Sequence, residues 1–145
     1  MSQFQNPSTQ AIRELLARSR TLAVVGLSDD PSRPSYGVTR SMRQMNYRIL
    51  PVNPTLQEWE GLPAFPTVAA AAAALGPDER IDIVNVFRRP AQVDALVDEC
   101  IRLRLGALWL QQGVINEPAA ERAVAAGMTV VMDRCIYVDR VSLLG

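Results

Sequence analysis

The chain has 145 residues and a mass of 15.9 kDa, which suits one compact domain rather than two. Its fifteen basic residues, all arginine, balance fifteen acidic residues, and a net charge of zero excludes a broad electrostatic surface for nucleic acid. The sequence contains no histidine and no lysine. These absences exclude serine triads with a histidine base, histidine-ligated metals, lysine Schiff bases and Walker A phosphate loops.

The two cysteines are too far apart in sequence to indicate a cross-linked fold. Cys100 and Cys135 are separated by 35 positions and have no close cysteine partner, which is typical of a reducing compartment and of neither a disulfide framework nor a zinc site. The amino-terminal residues lack the basic and apolar regions of a signal peptide. The longest uncharged apolar stretch, residues 68–75, is far shorter than a membrane span. We therefore expect a cytoplasmic protein.

Strand and helix patterns alternate along the chain. The predicted strands are nearly continuous in valine, isoleucine and leucine, as in parallel strands covered on both faces, and they are residues 21–26, 48–52, 81–87, 107–110 and 129–132. The predicted helices have apolar residues at helical spacing or carry cap residues, and they are residues 9–18 after Ser8, 36–45, an alanine-rich helix from Thr67 to Gly76, 90–104 and 117–126. This order predicts one α/β domain over residues 1–145, with a doubly wound, Rossmann-like sheet of five parallel strands.

In such a sheet, ligands bind beyond the carboxyl ends of the strands, beside the first strand. The loop after that strand begins at Gly26, which permits a sharp turn. It leads to Ser35 as the expected helix cap and to Gly37, which permits close packing of the helix. Free N–H groups at the helix terminus and the Arg33 guanidinium would suit a phosphate. The predicted phosphate site comprises Gly26, Leu27, Ser28, Arg33, Ser35, Tyr36 and Gly37; an ordinary capped loop is the alternative.

The same loop argues against NAD. It lacks the G-x-G-x-x-G spacing, and the second strand ends in Val52, Asn53 and Pro54, without the carboxylate that holds the ribose of NAD. The Asn53 amide can both donate and accept hydrogen bonds to a ribose or an adenine edge. These residues predict a nucleotide-like ligand other than NAD.

The third strand delivers apolar and basic side chains to the same edge. Either Phe87 or Val86 is expected to cover an adenine face. Arg88 and Arg89 are adjacent and point in different directions, so at most one of them would face a ligand. We assign Arg88 to the site; a solvated basic corner is the alternative.

The last two strands end in polar loops. Gln111, Gly113 and Asn116 follow the fourth strand and are predicted to bind a polar chain through amide and backbone groups. Trp109 lies in an apolar run and is interpreted as core. Cys135, beside Arg134, is either a thiol with a lowered pKa or a small buried hydrophobe, and we favour the latter. The long loop after the second strand contains Trp59 and Phe65, which either pack or form a lid.

The strand-end segments together resemble a known family. Those segments are Ala23-Val24-Val25-Gly26-Leu27-Ser28, Arg33-Pro34-Ser35-Tyr36, Pro51-Val52-Asn53-Pro54, Val86-Phe87-Arg88-Arg89-Pro90, Trp109-Leu110-Gln111-Gln112-Gly113 and Met132-Asp133-Arg134-Cys135. They are similar to the small stand-alone CoA-binding proteins, which resemble the CoA-binding domain of the succinyl-CoA synthetase alpha subunit. The resemblance implies a CoA or acyl-CoA ligand, with its pyrophosphate at the Gly26 turn and its adenosine near Asn53 and Phe87.

Two departures from the family pattern limit this inference. Thr55 follows Asn53-Pro54, where the synthetase relatives tend to have a lysine, and the residues after Cys135 are less basic than in the family. Arginine must therefore supply the charge for any phosphate. We expect a CoA-binding protein without catalytic or metal-ligating residues, which sequesters, senses or delivers CoA and which has an unidentified protein partner or forms a homo-oligomer. The alternatives are a small NADP- or NAD-dependent oxidoreductase and a regulatory interaction module that binds no ligand.

Overall fold

Five parallel strands form the central sheet in the computed structural model, which describes residues 4–145. These strands are β1 (Thr21–Val25), β2 (Arg48–Val52), β5 (Ile83–Val86), β6 (Ala107–Leu110) and β7 (Thr129–Met132), and a short antiparallel hairpin is formed by β3 (Glu58–Trp59) and β4 (Leu62–Pro63). The order across the sheet is β2-β1-β5-β6-β7, with every neighbouring pair parallel. The chain therefore reverses its direction of winding beside β1, where doubly wound folds bind ligands.

Helices cover both faces of the sheet. They are α1 (Thr9–Arg18), α2 (Pro34–Gln44), α3 (Val68–Ala73), α4 (Val93–Arg102), α5 (Glu117–Ala125) and α6 (Ile136–Leu144), with a 3₁₀ turn at Pro90–Gln92 before α4. Successive residues of a strand point to opposite faces. Leu22 and Val24 of β1 accordingly pack with α1, α2 and α6, whereas Ala23 and Val25 pack with α3, α4 and α5. The predicted doubly wound, five-stranded parallel fold is confirmed.

The predicted cap residues explain where several helices begin. The Ser8 hydroxyl accepts a hydrogen bond from the N–H of Ala11 at 3.1 Å, and the Thr67 hydroxyl accepts one from the N–H of Ala70 at 3.0 Å. Each bond satisfies a helix-end donor that has no partner within the helix. The third long strand is shorter than predicted, because only Ile83–Val86 pair with β1 and only residues 84–86 pair with β6. The β3–β4 hairpin and helix α6 were not predicted.

Both outer edges of the sheet are partly covered. The Asn6 side chain bonds to both backbone groups of Met132 in β7, since it donates to the carbonyl at 3.0 Å and accepts from the N–H at 2.7 Å. On the opposite edge, the N–H of Phe65 donates to the carbonyl of Pro51 in β2 at 2.9 Å. These contacts leave fewer free backbone groups for pairing with another chain. Within residues 4–145, no helix has the length and apolar character needed to cross a membrane.

Candidate functional site

Gly26 forms the centre of the carboxyl edge, between the ends of β2 and β5. Its N–H donates to the carbonyl of Val52 at 2.9 Å, and its φ of +81° lies in the left-handed region that favours glycine. A Cβ atom on residue 26 would overlap the carbonyl oxygen of Phe87 and would lie 3.3 Å from Cδ of Arg88. The Arg88 side chain therefore passes close to the Gly26 turn.

The loop between Gly26 and α2 is held by its own serines. The N–H of Ser28 donates to Oγ of Ser35 at 3.0 Å, and Oγ of Ser28 accepts from the N–H of Asp30 at 3.0 Å. The prediction that Ser35 caps α2 is wrong. Arg33 occupies the cap position, Pro34 begins the helix, and the buried Ser35 side chain turns back to the loop instead. This hydroxyl fixes the separation between the loop and the helix.

Backbone donors of this loop, the nearby Arg88 and the exposed Arg33 at the cap position of α2 are the candidate anion-binding groups. Within residues 4–145, the N–H groups of Asp29 and Ser35 have no hydrogen-bond acceptor. In the same part of the chain, no carboxylate oxygen lies within 4.0 Å of the guanidinium nitrogens of Arg33 or Arg88. Free N–H groups at a helix start and unpaired arginines are the groups that bind phosphate oxygens in proteins.

Two carboxylates, Asp29 and Asp30, lie in this loop, and that of Asp30 is already hydrogen-bonded. Asp30 accepts hydrogen bonds from the N–H of Ser32 at 2.9 Å and from its hydroxyl at 2.8 Å. The backbone hydrogen bond, followed by the hydroxyl bond, lowers the pKa of Asp30 below its usual value. Gly37 lies in the first turn of α2, is exposed, and has open space at its Cβ position. The start of α2 is therefore accessible to a ligand.

The residues at the end of β2 support the loop that follows Gly26. The Asn53 amide nitrogen donates to the carbonyl of Leu27 at 3.0 Å, and its oxygen accepts from the N–H and the hydroxyl of Thr55. Val52 is buried, as is Leu27, so neither side chain is accessible to a ligand. Pro54 is exposed beside them. Adenosine contacts of Asn53 and Pro54 remain predictions, and the Asn53 oxygen is occupied by Thr55.

The residues at the end of β5 differ in burial: one lies in the core and the next two are partly exposed at the candidate site. Val86 is completely buried under α4, so the hypothesis that its side chain covers an adenine is wrong. Phe87 is partly exposed and packs with the apolar residues on the other face of the sheet, which α1, α2 and α6 cover. Arg88 is partly buried near Gly26, whereas Arg89 is exposed at the start of the 3₁₀ turn. Ligand contacts of Phe87 and Arg88 stay predictions, and both residues are partly exposed at the carboxyl edge.

The polar side chains after β6 are bound to neighbouring elements. Gln111 is buried, and its side-chain oxygen accepts from the N–H of Ile136 at 2.9 Å, where α6 begins. Asn116 caps α5 through its oxygen, and its nitrogen donates to the carbonyl of Pro90 at 2.9 Å. The expectation that these two amides bind a polar chain is therefore wrong, because their hydrogen bonds hold the scaffold. Gly113 stays exposed, with its N–H 2.8 Å from a carboxylate oxygen of Asp133.

The segment after β7 contains a buried tryptophan and an ion pair. Trp109 is fully buried, as predicted, and its indole N–H donates to the carbonyl of Arg134 at 2.8 Å. The Arg134 guanidinium makes two hydrogen bonds to the buried Asp139 carboxylate, at 2.6 and 2.8 Å, which raise the pKa of Arg134. Arg134 is thus engaged with Asp139. Cys135 is half-buried at the start of α6, whereas Cys100 is fully buried.

Residues of the β3–β4 hairpin complete the site, and the sequence analysis did not assign them to it. Trp59 is buried, packs edge-on against the Tyr36 ring at a centroid distance of 5.2 Å, and donates its indole N–H to the carbonyl of Ser28 at 3.0 Å. The Tyr36 hydroxyl donates to the Glu60 carboxylate, which raises the pKa of Tyr36. The signal was a tryptophan within a mostly polar loop, and the structure assigns it to packing rather than to a mobile lid.

The geometry defines a class of protein. It is a doubly wound domain whose first strand ends in a glycine turn, and within residues 4–145 the carboxyl edge carries N–H groups without acceptors and arginines without ion-pair partners. Among residues 4–145, no group of three or more cysteine, aspartate or glutamate residues could hold a metal ion. The model of the CoA binding domain family matches residues 20–140. The chain therefore belongs to the CoA binding domain family.

The chain is also similar to individual relatives and solved structures. The chain is 45% identical over 135 residues to the uncharacterized protein YneT of Bacillus subtilis (strain 168), covering 93% of this chain and 96% of YneT. It is also similar to cell-free ID.343 from Thermus thermophilus, with 38% identity, a TM-score of 0.83, and coverage of 94% of this chain and 99% of that chain. The apo form of an acetyl-coenzyme A synthetase from Ca. Korarchaeum cryptofilum matches with 25% identity, a TM-score of 0.64, and coverage of 78% of this chain and 26% of that chain.

Proposed function

We propose that the protein binds CoA or an acyl-CoA at the carboxyl edge of its sheet. The observation that carries the proposal is the Gly26 turn, which has Arg88 close to it and, among residues 4–145, no acceptor for the N–H groups of Asp29 and Ser35. The pyrophosphate of CoA would accept hydrogen bonds from these N–H groups. The membership of the chain in the CoA binding domain family supports CoA as the nucleotide.

Arginine supplies the positive charge for the phosphates in this proposal. The chain has no lysine, and Thr55 occupies the position where the synthetase relatives tend to have one. Arg88 passes close to the Gly26 turn and Arg33 lies at the cap position of α2, and neither forms an ion pair with a carboxylate within residues 4–145. A guanidinium can hold a phosphate through two parallel hydrogen bonds. Phe87 lies beside Arg88 and offers an apolar surface for the adenine.

We further propose that the protein carries out no reaction of its own and instead sequesters, senses or delivers CoA. The candidate site offers arginine, amide, hydroxyl and aspartate groups, and the sequence has neither a histidine nor a lysine to act as a base near neutral pH. The chain spans about a quarter of the acetyl-coenzyme A synthetase that it matches. A synthetase activity is therefore not part of the proposal.

A thermal-unfolding panel at matched ligand concentrations tests this function. CoA at one hundred times its dissociation constant should stabilise the protein by about 2.7 kcal/mol. For a domain of this size, that energy raises the melting temperature by roughly 5–11 °C. A shift with NADP and none with CoA would favour an oxidoreductase, and no shift with either would favour an interaction module. Native mass spectrometry of freshly purified protein would identify the acyl group through the mass of any bound ligand.

A further inference from the structure

Two side chains from outside the Gly26 loop hold two successive carbonyl groups of that loop. The Asn53 amide nitrogen donates to the carbonyl of Leu27, and the Trp59 indole nitrogen donates to the carbonyl of Ser28, both at 3.0 Å. Both donors belong to the segment between β2 and α3, and Trp59 itself lies in β3. The backbone of the loop is therefore fixed from the side of the hairpin.

The planar trans peptide bond converts this restraint on the carbonyl groups into a restraint on the N–H groups. In a trans peptide, the carbonyl and the following N–H point in opposite directions. The bond from Asn53 to the carbonyl of Leu27 thus directs the N–H of Ser28 away from Asn53, where it meets Oγ of Ser35 at 3.0 Å. The bond from Trp59 to the carbonyl of Ser28 directs the N–H of Asp29 away from the hairpin in the same way.

The second of these N–H groups is the one that is free. The N–H of Asp29 has no acceptor within residues 4–145. Trp59 is 1% exposed and packs against Tyr36 of α2 at 61° between the ring planes, so its indole has little freedom to turn. A donor that is already oriented binds an anion without the entropic cost of ordering the loop.

We infer that Trp59 is a positioning residue for phosphate binding: its indole N–H orients the Ser28–Asp29 peptide so that the Asp29 N–H faces the pyrophosphate. This inference rests on the proposed CoA site and adds a specific role for the hairpin. Asn53 acts in the same way on the preceding peptide. Its amide nitrogen supports the loop through the bond to the Leu27 carbonyl.

The substitution Trp59→Phe removes the indole N–H and keeps an aromatic ring against Tyr36. Trp109→Phe is a matched control, because Trp109 is equally buried and its indole N–H also donates to a backbone carbonyl, at Arg134 outside the Gly26 loop. Isothermal titration calorimetry with CoA and with inorganic pyrophosphate gives the two affinities. The loss of one net hydrogen bond corresponds to an affinity that is about 3- to 10-fold weaker. We expect this loss for both ligands in Trp59→Phe, and unchanged affinity for pyrophosphate in Trp109→Phe.

A second readout separates positioning from a general loss of stability. In ¹⁵N–¹H spectra, the Asp29 amide resonance should shift when pyrophosphate is added to the wild-type protein, and it should shift less at the same saturation in Trp59→Phe. Equal affinities and equal Asp29 shifts in wild type and Trp59→Phe would overturn the inference while leaving CoA binding intact. Equal losses in Trp59→Phe and Trp109→Phe would also overturn it, because they would reflect destabilisation alone. Failure of the wild-type protein to bind CoA would overturn the proposed function and this inference together.

Discussion

A Cβ atom on residue 26 would overlap the carbonyl oxygen of Phe87. This relationship joins the turn after β1 to the end of β5, the neighbouring central strand, and it brings Arg88 to the turn. Gly26 meets two separate requirements at this position, because its φ of +81° disfavours any side chain and the carbonyl leaves no room for one. The ligand-binding edge is consequently compact at the point where the phosphate is expected.

The substitution Gly26→Ala should destabilise the fold as well as the site. The left-handed φ costs an alanine about 1–2 kcal/mol, and the overlap with the Phe87 carbonyl adds the cost of moving β5. Gly61→Ala is the control, since Gly61 has a nearly identical φ of +80° and open space around its Cβ position. Chemical denaturation should show a larger loss of unfolding free energy for Gly26→Ala than for Gly61→Ala. Equal losses would show that the Phe87 carbonyl moves away without cost.

Arg88 and Arg89 should differ in their effect on CoA binding, although they are adjacent and have the same charge. Arg88 lies near the Gly26 turn, whereas Arg89 is exposed at the start of the 3₁₀ turn. Loss of a charge-assisted hydrogen bond costs on the order of 1.5–3 kcal/mol, so Arg88→Ala should weaken CoA binding by about 10- to 100-fold. Calorimetric titration should show a much smaller change for Arg89→Ala. The reverse order would place the ligand on the Arg89 side.

Comparing CoA with dephospho-CoA shows which phosphate Arg88 contacts. Dephospho-CoA lacks the 3′-phosphate and keeps the pyrophosphate. If Arg88 binds the pyrophosphate, Arg88→Ala should weaken CoA and dephospho-CoA by the same factor. A loss confined to CoA would instead assign Arg88 to the 3′-phosphate.

The strands could be predicted from the sequence because their signal is local and repeated. A sheet covered on both faces requires almost continuous apolar runs, and β2, β6 and β7 begin and end where those runs do. Helix α6 was not predicted, because its segment combines exposed Tyr137 and Val138 with the buried charge of Asp139, which is the reverse of an amphipathic surface helix. That pattern is explained only by the ion pair of Asp139 with Arg134.

The site was predicted less completely than the fold, since side-chain hydrogen bonds join residues that are distant in sequence. Gln111 and Asn116 were assigned to ligand binding because polar residues at strand ends often bind ligands. In the structure, Gln111 supports α6 and Asn116 supports α5 and the β5–α4 connection. Similarly, the indole of Trp59 reaches Ser28 across 31 positions. Local patterns locate the ligand-binding edge, and tertiary contacts decide which of its polar groups are free.

The two cysteines should react at very different rates. Cys100 is fully buried, and burial, with a smaller contribution from the Glu99 charge, raises its thiol pKa to about 12, whereas Cys135 is half-buried at the start of α6. Because the thiolate is the reactive form, an aromatic disulfide reagent at pH 8 should modify one thiol in the folded protein and two in denaturant. Cys135→Ser should abolish the fast reaction, and Cys100→Ser should leave it unchanged. Two fast thiols in the folded protein would contradict this assignment.

The raised pKa of Cys100 also predicts a loss of stability at alkaline pH. A cysteine in the unfolded chain loses its proton near the ordinary thiol pKa of 9.0, whereas the folded protein keeps the proton on Cys100 up to about pH 12. The unfolded state therefore binds fewer protons in this window, and stability falls as the pH rises from 9 towards 12. The free energy of unfolding should decline more steeply for the wild-type protein than for Cys100→Ser between pH 8 and pH 11. Parallel declines would mean that Cys100 ionises equally in both states.

Asn85 in the centre of β5 carries an amide that costs the protein stability. It is 1% exposed, and neither its side-chain oxygen nor its nitrogen has a hydrogen-bond partner within residues 4–145. Its neighbours in register are Val24 and Trp109. A buried polar group without a partner costs about 1–3 kcal/mol. Leucine has the same number of side-chain heavy atoms, so Asn85→Leu should raise the free energy of unfolding by about this amount.

Asn85→Ala separates the polar cost from the packing contribution at this position. Alanine removes the same unpaired atoms and leaves a cavity, so Asn85→Ala should be less stable than Asn85→Leu. Urea denaturation of the three proteins gives the comparison, and calorimetry with CoA should show unchanged affinity for Asn85→Leu, since the residue is enclosed within the sheet and its helices. If Asn85→Leu is less stable than the wild-type protein, the amide contributes favourable interactions that outweigh its burial, and the assignment of a stability cost to Asn85 is wrong.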